Sequence, residues 1–72
     1  MKHYFNRDRF LELLELKEMN QSELSNLAKI DRTSMFYKTT SQRSFNTSEI
    51  SAISEILDLS NDDIVDIFIK KV

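Results

Sequence analysis

Met19-Asn20-Gln21-Ser22-Glu23-Leu24-Ser25-Asn26-Leu27-Ala28-Lys29-Ile30-Asp31-Arg32-Thr33-Ser34-Met35 is the stretch that decides the fold. One short pattern occurs in it twice: an apolar residue, then Asn or Asp, then another apolar residue four positions after the polar one. Each copy reads as a helix start. The polar side chain caps an orphan backbone N–H, and the flanking apolar side chains staple across it. Asn20 and Asp31 are 11 positions apart. That interval fits a helix of about two turns, a tight turn and the start of a second helix.

The same pattern recurs outward from this stretch, at Phe5-Asn6…Phe10, Phe45-Asn46…Ile50 and Leu59-Ser60…Ile64. Successive caps are 14, 11, 15 and 14 residues apart. The spacing predicts five helices. The first runs from about Arg7 to Glu18, with Phe10, Leu13, Leu14 and the stem of Lys17 on one face. The second runs from Gln21 to Ala28 behind an Asn20/Glu23 capping box, with Leu24, Leu27 and Ala28 inward. The third runs from Arg32 to about Thr39. A polar crossing over 40–44 leads to a fourth from Thr47, boxed by Asn46 and Glu49 and carrying Ile50, Ile53, Ile56 and Leu57. The fifth starts at Asn61, boxed by Ser60 and Asp63, and carries Ile64, Val65, Ile67 and Phe68. No segment keeps the period-two alternation of a strand.

Composition agrees with an all-α fold. The 72 residues contain no Gly, Pro or Cys. Without Pro nothing interrupts a helix. Without Gly, left-handed turns fall to Asn, Asp or Lys at some strain. Without Cys there is no disulfide, which fits a reducing compartment and a cytoplasmic setting. No secretory signal pattern is seen, and no apolar run approaches the roughly 18 residues of a membrane span. The length allows one domain, residues 1–72.

Charge is unevenly spread. The net value is −2, unusual for a nucleic-acid binder. Residues 29–43 carry Lys29, Arg32, Lys38 and Arg43 against Asp31 alone, a balance of +3. Residues 44–72 carry six acids against Lys70 and Lys71, a balance of −4. The positive stretch coincides with the second helix of the central pair. Two helices of this length and spacing match a helix-turn-helix at about 21–39, a device that presents one helix to a partner, usually the DNA major groove.

Gln21-Ser22-Glu23-Leu24-Ser25-Asn26-Leu27-Ala28-Lys29-Ile30-Asp31-Arg32-Thr33-Ser34-Met35 resembles the helix-turn-helix of the Cro/C1-type (XRE-like) repressor family of phages and bacteria. Gln21 opens the second helix, Leu24 takes its buried fourth place, and Ile30 follows the turn. Asp31-Arg32-Thr33-Ser34 looks like the polar opening of a recognition helix. The flanking helices extend the resemblance over nearly the whole chain. It implies a compact five-helix Cro/C1 (lambda repressor-like) domain. Lys29 stands where the family usually has Gly, so either it holds a positive φ at a cost of about 1 kcal/mol or the turn is reshaped. With Met35 buried, steps of about 100° put Thr33, Tyr37 and Thr40 on the outer face, with Phe36 and Ser34 flanking. The family usually places Arg, Gln, Asn or Ser there.

Two functional readings follow. In the first, the chain binds operator DNA. Gln21, Ser22, Arg32, Lys38 and Arg43 would hold phosphates, and Thr33, Ser34, Tyr37 and Thr40 would face the groove. Tight binding would need a dimer, for which Val65, Ile69 or Val72 could supply an isologous contact. In the second, the partner is a protein. Thr33, Phe36, Tyr37 and Arg43 would anchor the contact, since aromatics and Arg dominate interfaces. Within the resemblance, the chain looks like the small temperate-phage modulators of repression. These are anti-repressors that bind the DNA-binding domain of the phage repressor and free its operators. That reading makes the chain a regulator of a lysis–lysogeny switch. An enzyme is not expected. His3 is the only histidine and lies in an N-terminus expected to fray. No serine or threonine has a base nearby, and no Gly loop could cradle a phosphate. No cofactor, metal or small-molecule substrate is implied.

Overall fold

Four of the helices close in the same way, and the closures set the architecture. The computed structural model describes residues 3–70. Its elements are α1 (Arg7–Leu16), α2 (Gln21–Ala28), α3 (Arg32–Thr39), α4 (Thr47–Leu57) and α5 (Asn61–Ile64). The last runs on into a π-helical turn over Val65–Ile69, closed by the Lys70 N–H donating to the Val65 carbonyl at 2.7 Å. No strand occurs among the described residues. No helix among them is long and apolar enough to cross a membrane.

All five expected N-caps form. Asn6 accepts from the Arg9 N–H at 3.1 Å, and Asn20 from Glu23 at 2.8 Å. Asp31 accepts from Ser34 and Asn46 from Glu49, both at 2.8 Å, and Ser60 accepts from Asp63 at 3.1 Å. Glu23, Glu49 and Asp63 each return a bond to the backbone N–H of their cap residue, so all three capping boxes are present. Across the first cap, the rings of Phe5 and Phe10 meet edge-on at 5.2 Å.

At α1, Glu18 takes φ 53°, its N–H donates to the Glu15 carbonyl, and the Met19 N–H reaches back to Leu14. This is a Schellman closure, with one bond spanning three residues and one spanning five. It recurs with Lys29 and Ile30 closing α2, Ser41 and Gln42 closing α3, and Asp58 and Leu59 closing α4. Lys29 takes the positive φ, at 58°. The closure also ends α1 at Leu16, two residues before the expected Glu18. Glu18 leaves the helix because its left-handed backbone is what directs Met19 and Asn20 into the start of α2.

Phe10, Leu14, Leu24, Ile30, Met35, Ile53, Leu57 and Ile67 form the buried core. α2 packs on α4 and α3, and α1 packs on the π-helical turn. Phe45 and Phe68 join Phe5 in an aromatic knot, with ring centroids 5.2–5.7 Å apart. It ties the N-terminal segment to the end of the chain. That segment does not fray from His3 onward. The His3 N–H donates to the Ser41 carbonyl, the Asn6 N–H to Ile67, and the Tyr4 hydroxyl to Asp66.

One residue expected inward faces out. Leu27 is 58% exposed, while Ser25 is buried. Leu24 and Ser25 together centre the buried face, which leaves Leu27 about 110° away from it. Small Ser25 lies where α2 meets α3, and its carbonyl accepts the Ile30 N–H. Val65, one of the residues offered for a dimer contact, is 46% exposed at the start of the π-helical turn. The stem of Lys17 is exposed as well. Val72 lies outside the described residues.

Thermal melts check both kinds of helix end. Asn20→Ala and Asp31→Ala should each destabilise by about 0.5–2 kcal/mol through loss of a cap; unchanged melts would refute the capping assignment. Lys29→Gly should act the other way. Removing the left-handed strain on a Cβ-bearing residue should stabilise by about 0.5–1 kcal/mol, or raise Tm by about 2–8 °C.

Candidate functional site

The outer face of α3 and the loop behind it hold most of the residues singled out in the sequence. Their surroundings divide them into two groups.

In the first group the polar atoms are already used within the chain. Ser34 gives both its N–H and its hydroxyl to Asp31, each at 2.8 Å. The Thr40 hydroxyl donates to the Phe36 carbonyl at 2.7 Å and receives the Gln42 amide at 3.0 Å. Lys38 turns away from the outer face. Its Nζ lies 2.6 Å from Glu49 Oε1, and the two side chains are only 13% and 17% exposed. Glu49 also accepts the Asn46 N–H. One carboxylate thus caps α4 and pins α3 to it. This pair removes Lys38 from the cations presented outward.

In the second group the functional ends remain outward. Thr33 and Arg32 are exposed. Phe36 is 57% exposed and meets the half-buried Tyr37 edge-on at 5.6 Å. The Arg43 guanidinium lies over the Tyr37 ring, 4.9 Å from its centroid, a cation–π geometry. The loop makes this stacking possible. Ser41 turns the chain left-handed, and the N–H groups of Gln42 and Arg43 both return to the Tyr37 carbonyl. Arg43 is thereby brought back over the helix it has just left.

Gln21 and Ser22, half-buried at the start of α2, lie beside Arg32, Met35 and Phe36 around an open hollow of about 180 Å³. Arg32, Lys29 and Arg43 form no ion pair among the described residues. The patch is therefore cationic at its edge and aromatic at its centre. Sequence reasoning missed the Lys38–Glu49 pair and the Tyr37–Arg43 stack. The aromatic–Arg composition of 36–43 was the only available signal for the stack. No signal marks a lysine and a glutamate 11 positions apart on different helices.

Two carboxylates are held below their ordinary range. At Asp31 the cause is chiefly the backbone N–H of Ser34, then the Ser34 hydroxyl. At Asp63 it is chiefly the hydrogen bond from Arg9, at 3.2 Å. Arg9 is raised in turn by its hydrogen bonds to Glu12 and Asp63.

No protein-family model, curated protein or solved structure matches the chain.

The depressed carboxylates give a pH dependence with a definite sign. A group whose folded pKa lies below its unfolded value contributes stability above the unfolded value and loses it as pH falls through the folded one. For Asp31 and Asp63 the unfolded value is 3.8. Tm should stay level from neutral pH to about pH 5 and fall below about pH 4. Asp31→Asn keeps a capping oxygen but cannot titrate. Its Tm deficit relative to the parent chain should shrink as pH drops; a constant deficit would exclude the ionised Asp31 carboxylate as a source of stability.

Proposed function

We propose that the chain is a Cro/C1-type helix-turn-helix domain that regulates a phage lysis–lysogeny switch as an anti-repressor. It acts in the bacterial cytoplasm by binding the DNA-binding domain of the phage repressor and freeing its operators. The outer face of α3, with Thr33, Phe36, Tyr37 and Arg43, is the contact surface.

The observation that carries this reading is the division of polar groups on α3. Ser34, Lys38 and Thr40, which would read bases or hold phosphates, are already bonded within the chain. What remains outward is a half-exposed aromatic pair with an arginine stacked on it. Large aromatics anchor protein interfaces because they bury much area with few rotatable bonds, and Arg because its planar guanidinium stacks and donates several hydrogen bonds at once. Base-specific readout instead favours unengaged bidentate donors and acceptors. The −4 balance of residues 44–72 also suits a basic, DNA-binding partner.

A second reading, a Cro-like dimer on operator DNA, draws on Arg32 beside the N-terminus of α2 and on the exposed Val65 and Ile69. Helix N-termini and nearby arginines hold phosphates, but without base contacts they bind all sequences alike.

Calorimetry with the repressor's DNA-binding domain separates these readings. Phe36→Ala and Tyr37→Ala should each weaken binding by about 1–2 kcal/mol or more while leaving the melts intact. Unchanged affinity in both variants would remove these anchors. Isolated protein that prefers one operator over random duplex, with a steep salt dependence, would favour the dimer instead.

A further inference from the structure

A second surface lies where the end of α1 meets the start of α2, and Gln21 borders both it and the hollow beside Arg32. An open groove of about 490 Å³ runs across this corner. Leu11, Leu14 and Met19 supply its apolar part, and Glu15, Glu18 and Glu23 stand on its rim. No Lys or Arg lines it. Leu11, Leu14 and Glu15 share one face of α1 at i, i+3 and i+4, and Glu18 follows in the left-handed turn beyond its end.

The charge arrangement is poor for the chain alone. Glu15 is in the last turn of α1 and Glu18 follows it, next to the negative end of the helix dipole, where the exposed C-cap Lys17 is the one nearby cation in sequence. Neither carboxylate has an ion-pair partner among the described residues. Glu23 differs, because it bonds the Asn20 N–H and closes the cap of α2. An exposed groove with apolar walls, two uncompensated carboxylates and a helix end of the same sign is complementary to one kind of occupant. We infer that this groove docks a basic amphipathic segment of a protein partner, with an apolar side chain set against Leu11 and Met19 and Lys or Arg paired with Glu15 and Glu18. Nucleic acid is repelled by the same charges. The inference does not rest on the α3 surface, so either can fail without the other.

The probe is a fluorescein-labelled 15-residue synthetic peptide with Lys on one helical face and Leu at i, i+3, i+4 and i+7 on the other. Binding to the full chain is followed by anisotropy at low and moderate salt. Glu15→Lys/Glu18→Lys should weaken it at least tenfold. That variant should fold, because cations at a helix C-terminus are favourable and Lys29 already holds a left-handed backbone in this chain. Glu55→Lys/Asp58→Lys makes the same change of net charge at residues that do not line the groove, and should alter affinity less than twofold. A peptide with Ser in place of Leu should bind at least tenfold more weakly. Amide shifts on adding peptide should centre on 11–23. Equal losses in both charge variants, equal binding of the Ser peptide, or shifts centred on 32–43 would each overturn the site. Sedimentation of the chain alone should show a monomer. Self-association abolished by Glu15→Lys/Glu18→Lys would make a second copy the occupant and overturn the assignment to a separate basic partner.

Discussion

The fold depends on reversing chain direction without glycine. Four helices end in a Schellman closure, and each closure places a Cβ-bearing residue in the left-handed region, at Glu18, Lys29, Ser41 and Asp58. Such a residue is strained by about 1 kcal/mol. The strain is held because the residue after it serves two helices. Met19, Ile30 and Leu59 each give their N–H to the helix just completed, and each precedes the cap of the next. The connection is the same three times: a charged left-handed residue, an apolar residue, a polar cap. Glu18-Met19-Asn20, Lys29-Ile30-Asp31 and Asp58-Leu59-Ser60 are copies of it. The apolar residue in the middle packs with the core in every copy. Each turn therefore satisfies backbone groups on both sides and buries apolar surface in a single step.

The α3–α4 link departs from this rule, and the candidate site lies there. After Ser41 the chain runs through Gln42, Arg43 and Ser44 before Phe45 rejoins the core and Asn46 caps α4. The extra residues let Arg43 fold back over Tyr37. The Lys38–Glu49 pair holds the two helices together beneath the loop, at low exposure and therefore with little screening. Its effect on the surface is indirect. By drawing the charge of Lys38 inward, it leaves the outer face of α3 to Thr33, Phe36, Tyr37 and, from the loop, Arg43.

Arg32 borders the hollow beside Phe36 and Arg43 stacks on Tyr37, both without an ion pair, whereas Glu15 and Glu18 line the groove between α1 and α2. Complementary charge governs the rate and selectivity of encounter more than final affinity.

What the sequence determined by itself was where helices begin. A cap is a contact between residues three apart, so the residues at those positions suffice, and all five formed where Asn6, Asn20, Asp31, Asn46 and Ser60 place them. The residue four beyond each of the first three caps is buried in the core for the same local reason, as Phe10, Leu24 and Met35 show. At Lys29 the sequence left a positive φ and a reshaped turn both open, and the folded chain takes the positive φ. What only the tertiary structure decided involves residues far apart in the chain. Tyr4 reaches the Asp66 carbonyl, Lys38 reaches Glu49, and Ser25 rather than Leu27 is buried where α2 meets its neighbours. The π-helical turn at the chain end belongs here too, since it coincides with the packing of Phe68 among Phe5 and Phe45. Each of these outcomes depends on how helices settle against one another, and no local spacing encodes that.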